Sequence, residues 1–358
     1  MHEYDVANLE EILTEAPTKS LMVIDSLTKA HSIYSKPYKR ILVSVSGGSD
    51  SDLVIDICKK LDPYSIKTKY VWVNTGLEYE ATKEHLDYLE KRYGIKIDRV
   101  RPKMPIPTAV NTYGQPFLSK QVSEFIYRLQ YNNFKWEDEP YDELIKRYPR
   151  CKSALEWWCD EKGKGSMFTI RRNKYLKEFM IANPPTFKIA NKCCQKSKKD
   201  ALYSVMEEYD TDLSIIGIRK AEGGARSALT GCFVSGKHDY DVYRPIFWYQ
   251  KDDKKVYEEA YDIKHSKCYG KSGYGLCRTG CCACPFGRDW EKELEACDKF
   301  EPKLSKAVRN VFKDSYEYTK KYKEFVAMMN EKEKEKASKT ISFPEFIIEK
   351  NGQLRMAV

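Results

Sequence analysis

The chain has 358 residues, of which 42% are hydrophobic, and a formal net charge of +9. This size and composition are those of an ordinary globular protein with a substantial core, in two domains or in one large domain with insertions. The chain turns acidic before any apolar run and nowhere contains about 18 consecutive apolar residues. These features argue against a secretory signal and a membrane span, so we expect a cytoplasmic protein with no membrane partner.

The charge and the cysteine content each indicate a kind of ligand. The positive surplus favours an anionic partner, a nucleotide or a nucleic acid, although it is also compatible with a merely soluble surface. The sequence contains twelve cysteines. Because the cytoplasm keeps thiols reduced, metal ligation explains these cysteines better than disulfides do.

Strand and helix patterns alternate in the first part of the chain. Residues 1–35 show helical apolar spacing and form a predicted helical lead-in. Residues 41–45, 70–73 and 95–100 then have the pattern of short buried strands, and residues 81–93 that of a helix. Because repeated βα units form parallel sheets, we predict an α/β fold with a Rossmann-like, mostly parallel sheet and helices on both faces.

The later part of the chain divides into four predicted segments. The βα pattern stops over about 101–190, which we interpret as an insertion or substrate-facing subdomain. It returns with a helix at 198–209, a strand at 213–218 and an extended segment at 242–247, so that residues 36–260 form one domain. Residues 261–298 are rich in cysteine, and residues 299–358 form a charged helical tail.

The predicted insertion mixes aromatic and basic side chains. Such a mixture is used to stack on bases and to contact phosphates, which favours nucleic acid as a partner. The alternative is that the aromatic residues form the core of the subdomain. The residues concerned are Tyr113, Tyr127, Arg128, Tyr131, Phe134, Lys135, Trp136, Arg171, Arg172 and Lys174.

A glycine-containing loop follows the first predicted strand, with the sequence Ser46-Gly47-Gly48-Ser49-Asp50-Ser51. Two glycines at the start of a helix let the backbone N–H groups approach an anion, and the helix dipole favours negative charge there. Ser46 and Ser51 add hydroxyl donors, and Asp50 is a candidate oxygen ligand for Mg²⁺. The loop is not a Walker A motif, because the Gly-Lys-Ser/Thr ending is missing. The alternative is a polar turn that caps the helix at Ser49 or Asp50.

Three segments resemble the PP-loop (HUP-type) superfamily of ATP pyrophosphatases and sulfonucleotide reductases. The loop is similar to their Ser-Gly-Gly-x-Asp-Ser signature, although reductase-like members often have Lys where this chain has Ser49. Residues 74–79 resemble the Asp-Thr-Gly-x-Glu/Phe-Tyr segment of phosphoadenylylsulfate (PAPS) reductases, with Asn74 in place of Asp. Residues 217–226 are similar to a Gly-x-Arg-x-x-Glu-x-x-x-Arg segment whose arginines face the anionic substrate.

The resemblance implies roles for individual residues. It implies catalytic roles for Asp50, Arg219 and Arg226, and arginine suits this role because its planar fork pairs with phosphate or sulfate oxygens. Without such a role, the two arginines are ordinary surface residues. The resemblance implies that ATP or another adenine nucleotide contacts Ser46, Gly47, Gly48, Ser49, Asp50, Ser51, Thr75, Gly76, Glu78 and Gly217.

Two pairs of cysteines resemble the ligands of cluster-containing sulfonucleotide reductases. In those enzymes a Cys-Cys pair and a later Cys-x-x-Cys hold a [4Fe–4S] cluster, which implies the ligands Cys193, Cys194, Cys281 and Cys284. An alternative set resembles the DNA phosphorothioation sulfurtransferases and consists of Cys268, Cys277, Cys281 and Cys284. Closely spaced cysteines also fit a structural zinc site. We interpret the remaining isolated cysteines as small core residues; they are Cys58, Cys151, Cys159, Cys232 and Cys297.

Three functions remain open. We rank first an ATP-dependent sulfurtransferase, in which ATP adenylates an acceptor, pyrophosphate leaves, and sulfur then displaces AMP. The acceptor is a nucleic acid or a small molecule, and the partner is a sulfur-donor or electron-donor protein. A sulfonucleotide reductase ranks second, because no cysteine follows Cys297 to act as the tail nucleophile of that family, and Cys277 or Cys282 would have to replace it. The third is a non-catalytic, nucleotide-binding regulatory module, and the oligomeric state is left open.

Overall fold

The structure is a computed structural model of the chain. It describes residues 6–340, apart from 162, 164, 165, 167, 237 and 238, together with the strands Phe346–Ile348 and Leu354–Met356. The chain forms two compact units, of which the first consists of Met1–Pro116 and Ala190–Lys313 and the second of Phe117–Ile189 and Asp314–Val358.

The first unit contains a six-stranded sheet. Its strands are β1 (Ile41–Val45), β2 (Thr68–Val73), β3 (Ile97–Val100), β4 (Leu213–Ile216), β5 (Phe233–Val234) and β6 (Asp241–Tyr243). The strand order is β3-β2-β1-β4-β6-β5. All neighbours pair in parallel except β5 and β6, which are antiparallel. The predicted α/β fold with a mostly parallel sheet is therefore confirmed.

The central strand β1 has buried apolar side chains on both of its faces because helices cover both sides of the sheet. Side chains alternate across a strand, so that Ile41 and Val43 lie in one core while Leu42 lies in another. The larger core includes Leu27 and Leu53 from two helices on the first face. On the second face, Leu42 packs with Met206 of another helix.

The helices of the first unit connect the strands and flank the sheet. They are Leu9–Thr14, Leu21–Tyr34, Ser49–Leu61, Glu80–Tyr93, Ile106–Tyr113, Lys192–Cys194, Asp200–Glu208, Lys251–Ala260, Trp290–Phe300 and Pro302–Val311. A π-helical turn, Gln195–Lys199, joins Lys192–Cys194 to Asp200–Glu208 without a break. Gly94 ends Glu80–Tyr93 in the left-handed conformation, and this helix corresponds to the one predicted at residues 81–93.

The second unit is mainly helical and has its own aromatic core. Its helices are Lys120–Tyr131, Tyr141–Arg147, Lys152–Trp158, Leu176–Ala182 and Lys313–Thr340, and its strands Phe346–Ile348 and Leu354–Met356 pair antiparallel. Phe125 stacks on Trp157 with ring centroids 5.3 Å apart. Phe179 contacts Tyr318 and Tyr322 at 4.9 and 5.2 Å. Aromatic rings of this size contribute much of the buried apolar surface.

The unit boundaries differ from the predicted segments at two points. The second unit begins at Phe117 rather than near 101, because Ile106–Tyr113 belongs to the first unit, where Ile106 donates to the Thr75 carbonyl at 2.9 Å. The predicted tail 299–358 is divided between the two units: Pro302–Val311 lies in the first, and Lys313–Thr340 packs into the core of the second. Residues 1–5, 341–345, 349–353, 357 and 358 of the predicted lead-in and tail lie outside the described residues.

The predicted surface of mixed aromatic and basic side chains is only partly exposed. Phe134 is buried and Trp136 packs against the same core, as the alternative interpretation expected. Tyr131 is 76% exposed and stacks with Tyr127. Arg128, Lys135, Arg171, Arg172 and Lys174 are also exposed. Within the part of the chain that the structure describes, every helix is too short or too polar to cross a membrane.

A buried carboxylate fixes the turn that leads into β2. Asp62 is fully buried and accepts hydrogen bonds from the Ile66 and Lys67 amides at 2.9 and 3.0 Å and from the Thr68 hydroxyl at 2.7 Å. We expect Asp62→Ala to lower the free energy of unfolding by about 3 kcal/mol, because these donors would lose a charged acceptor. Urea denaturation would measure the change, with Asp62→Asn as a smaller perturbation; a loss for Asp62→Ala below about 1 kcal/mol would contradict this account of the turn.

Candidate functional site

The glycine loop lies between the end of β1 and the helix Ser49–Leu61. Gly47 has a φ of 68°, and a Cβ at this position would lie 2.5 Å from the Thr82 methyl carbon. The Gly48 amide donates to the Ser46 hydroxyl at 3.2 Å, and the Ser51 hydroxyl donates to the Gly48 carbonyl at 2.8 Å. The loop therefore needs glycine at position 47, both for its backbone conformation and for its close packing.

Gly217 brings the end of β4 against the start of the same helix. A Cβ at Gly217 would lie 3.1 Å from the Asp50 carbonyl oxygen and 3.3 Å from the Ser51 nitrogen. A larger residue would therefore push the two segments apart. The structure thus brings together Gly217, Asp50 and Ser51, which the sequence assigned to one site.

Asp50 lies between two cations. Arg219 Nε contacts the two carboxylate oxygens of Asp50 at 3.0 and 2.9 Å, and Lys254 Nζ contacts Oδ1 at 2.7 Å. The three side chains are only 13–16% exposed. A carboxylate in so little solvent needs such partners, since an unpaired buried charge is costly. Because cations already contact both oxygens, the arrangement does not favour Mg²⁺ at Asp50.

A second buried carboxylate, Asp52, binds two histidines. His85 Nε2 lies 3.0 Å from one oxygen and His265 Nδ1 lies 2.8 Å from the other. The other ring nitrogen of His265 lies 2.8 Å from Glu258, which is itself 3.6 Å from Lys254. Burial opposes the charged form, but the hydrogen bonds to Asp52 and Glu258 prevail and raise the pKa of His265 to about 9. His265 is therefore an imidazolium at neutral pH.

These groups border an open cleft of about 680 Å³ at the loop. Its lining includes Ser49, Arg219, Lys254, His265, Tyr269 and Cys277. The Tyr269 hydroxyl accepts a hydrogen bond from the Ser49 amide at 3.1 Å. The lining contains more cationic than anionic side chains, which suits an anionic ligand.

The other predicted arginine lies in a different setting. Arg226 forms an ion pair with Glu222 and is 45% exposed. Gly223 and Gly224, both with positive φ, lie between these two residues. The structure therefore places Arg219 at Asp50 and Arg226 in a local pair within its own segment.

The segment that follows β2 contacts the cysteine-rich region. The Thr75 hydroxyl donates to Glu78 at 2.7 Å and lies 3.5 Å from Cys281 Sγ. Lys198 Nζ lies 3.3 Å from the same Glu78 oxygen. Gly76, with a φ of 93°, forms the turn between Thr75 and Glu78. Three predicted nucleotide contacts thus lie next to a predicted cluster ligand.

The four cysteines of the first predicted set lie close enough to shift one another's pKa values. A hydrogen bond with Cys194 and burial raise the pKa of Cys193, and the charges of Cys284 and Cys281 raise it further. Burial raises the pKa of Cys284 to about 11, with a contribution from the charge of Cys194. Among the residues that the structure describes, no group of three or more His, Cys, Asp or Glu side chains is placed to hold a metal ion.

The remaining downstream cysteines have different surroundings. Cys268 is buried, with its sulfur 3.8 Å from the Thr82 hydroxyl. Cys277 is exposed and lines the cleft. A hydrogen bond with Cys297 and burial raise the pKa of Cys282. Cys58 and Cys151 are buried in cores, as predicted.

Sequence reasoning missed several polar residues of the site. Asp52, Lys254, His265 and Tyr269 belong to no motif of the sequence. The available signals were weak: Lys254 and Glu258 are four residues apart, as in a helical ion pair, and Asp52 follows the loop directly.

A known protein family matches one segment of the chain. Residues 40–153 match the family model of the phosphoadenosine phosphosulfate reductase domain. The predicted resemblance to PAPS reductase-like proteins is therefore confirmed over these residues.

Two relatives are similar in sequence. An uncharacterized protein of Methanocaldococcus jannaschii is 26% identical over 182 residues, which are 49% of this chain and 36% of that protein. The match thus spans about a third of the archaeal protein. An uncharacterized 37.8 kDa protein of Escherichia phage 186 is 24% identical over 288 residues, 72% of this chain and 76% of that protein.

Two solved structures are similar at low identity. The PAPS reductase of Candida auris, in a phosphate complex, has a TM-score of 0.34 and 11% identity, with 70% of this chain and 92% of that chain covered. The U34-tRNA thiolase NcsA of Methanococcus maripaludis, with its [4Fe-4S] cluster, has a TM-score of 0.35 and 14% identity, with 86% and 80% covered. At these values neither structure indicates what this chain binds or does.

The imidazolium of His265 makes the stability of the first unit depend on pH. The pKa of about 9 exceeds the usual value near 6.5, so the stabilisation is full below about pH 6.5 and is lost as pH rises through 9. Between pH 6.5 and 9.5 the wild type should lose roughly 2–3 kcal/mol more of unfolding free energy than His265→Gln. Urea denaturation across this range measures it, with His31→Gln as the control; parallel curves for wild type and His265→Gln would contradict the charged state.

Proposed function

We propose that this chain is an ATP-dependent sulfurtransferase that activates an acceptor with ATP and then replaces the activated oxygen with sulfur. The observation that carries the proposal is that the glycine loop and the cysteine-rich segment meet. A Cβ at Gly48 would lie 2.9 Å from the hydroxyl of Thr279, two residues before Cys281. The Tyr269 hydroxyl, one residue after Cys268, bonds the Ser49 amide. Nucleotide chemistry and sulfur chemistry would therefore share one site.

The loop and its basic neighbours provide the contacts that a nucleotide needs. The amides at the start of the helix Ser49–Leu61 would bind phosphate oxygens of ATP. Arg219, held by Asp50 at the cleft, would stabilise the negative charge that develops at the transferring phosphate. Asp50 thus acts by orienting Arg219.

The reaction has two balanced steps. The acceptor oxygen attacks the α-phosphorus of ATP, so that an oxygen–phosphorus bond forms and pyrophosphate leaves. Sulfur, delivered as hydrosulfide, then attacks the activated carbon, so that a carbon–sulfur bond forms, the carbon–oxygen bond breaks, and AMP leaves with the former acceptor oxygen. The acceptor is a small molecule or a nucleic acid, and the formal net charge of +9 favours the latter.

The donor set of Cys193, Cys194, Cys281 and Cys284 fits a [4Fe–4S] cluster. Four soft thiolates meet the requirement for such a cluster, and the four sulfurs affect one another's charge. When bound by all four cysteines, the cluster would supply redox or electrostatic chemistry next to the nucleotide. An iron open to sulfide would require that only three of the four cysteines be ligands.

A second candidate function, sulfonucleotide reduction, is supported by the position of Cys277. This exposed thiol lines the same cleft as Ser49 and Arg219, whereas Cys282 is buried. Its thiolate would attack the sulfur of a sulfonucleotide and release the nucleotide. A dithiol reductant would then release sulfite from the cysteine and become a disulfide.

Product analysis distinguishes these functions. With ATP, sulfide and an acceptor pool of transfer RNA, the wild type should release pyrophosphate and AMP in equal amounts. Asp50→Asn should lower the rate at least about tenfold, because Arg219 loses its charged partner. Sulfite release from a sulfonucleotide with thioredoxin, abolished in Cys277→Ser, would support the reductase instead. Nucleotide binding with neither product would leave only the regulatory module.

Cluster binding is tested by metal content. We expect the anaerobically purified wild type to contain iron and sulfide, and Cys281→Ser to lose most of both together with the brown colour, because one of four ligands is removed. Cys151→Ala, in the core of the second unit, is the matched control and should keep its iron. Full iron and sulfide in Cys281→Ser would remove Cys281 from the ligand set, and zinc in the wild type would favour the structural zinc site.

A further inference from the structure

We propose that Lys254 provides the phosphate-binding lysine that the glycine loop itself lacks. The side chain comes from the helix Lys251–Ala260, about 200 residues after the loop, and its ammonium lies at the variable position of the loop. This inference rests on the proposed binding of an adenine nucleotide and adds a specific residue to it.

The ammonium of Lys254 lies beside the first residue of the helix that follows the glycine loop. Lys254 Nζ lies 2.5 Å from Ser49 Oγ and 2.7 Å from Asp50 Oδ1. Ser49 is the first residue of the helix whose amides face the expected phosphates. An anion held by these amides would therefore lie within a few ångströms of the Lys254 charge, as it would for a lysine at position 49.

Lys254 has one more N–H donor than its hydrogen bonds within the protein use. An ammonium group has three N–H donors, and the hydrogen bonds to Ser49 and Asp50 use two of them. Glu258 lies 3.6 Å away, beyond hydrogen-bond distance, and also contacts the charged His265. One donor of Lys254 therefore remains for a ligand in the cleft that this side chain lines.

Asp50 has a second cationic partner besides Lys254. Arg219 Nε contacts both oxygens of Asp50, so this carboxylate keeps a cationic partner when Lys254 turns to a phosphate. Lys254 is 13% exposed, and its charge is weakly screened by water. In such surroundings an ammonium–phosphate contact is stronger than on an open surface.

Calorimetric titration with ATP and with adenosine tests the inference. Lys254→Ala should weaken ATP binding roughly 10- to 100-fold, the range of one charged hydrogen bond, and leave adenosine binding unchanged. If Lys254→Ala proves unstable, Lys254→Gln replaces it, because glutamine keeps a donor for Ser49 and Asp50. We expect Lys254→Gln to lose ATP affinity to the same extent, since it also lacks the positive charge. Lys29→Ala removes an equal charge from an exposed pair with Asp25 and should keep wild-type affinity.

Relocating the lysine separates ligand binding from a structural role. The double variant Ser49→Lys/Lys254→Ala places the charge in the loop itself and should regain at least about tenfold of the lost ATP affinity. A folded double variant that binds no better than Lys254→Ala would overturn the inference, as would unchanged affinity in Lys254→Ala. A wild type that binds no adenine nucleotide would overturn the proposed function and this inference together, whereas normal wild-type binding with an unaffected Lys254→Ala would overturn the inference alone.

Discussion

The ion pairs of Asp50 hold the candidate site together. This carboxylate lies at the start of a helix, where Arg219 comes from the segment after β4 and Lys254 from a helix beyond β6. A charged group with so little solvent contact is stable only with its partners in place. Parallel strands bring their carboxyl ends to one edge of the sheet. The segments that contain Asp50, Arg219 and Lys254 therefore meet at the cleft only after the sheet has formed.

Much of the fold could be predicted because its signals are local. The strand Ile41–Val45 is a short apolar run that ends before two glycines, and its predicted bounds agree with the structure. The boundaries of the second unit could not be predicted in this way. Tyr318 and Tyr322 are one helical turn apart, which indicates a buried face, but the sequence does not identify Phe179 as the residue that this face contacts.

In the candidate site, too, residues with a local sequence signal could be predicted, whereas residues placed by tertiary packing could not. The glycine loop and the paired cysteines have fixed spacings, so the sequence alone makes them candidates. Lys254 and His265 have no such spacing, because their neighbours lie far away along the chain. Their positions depend on tertiary packing. The roles of the predicted site residues stay proposals, and the structure adds which of them are neighbours.

The π-helical turn Gln195–Lys199 has a consequence for the orientation of Cys193 and Cys194. Each residue rotates an α-helix by about 100°, and a π-helical turn contains one residue more than an α-helical turn. Removing that residue would rotate the cysteine pair by about 100° relative to the face of Asp200–Glu208 that packs on the sheet. The widened turn thus sets the direction in which the two sulfurs point, and a single deletion could separate them from Cys281 without removing any thiol.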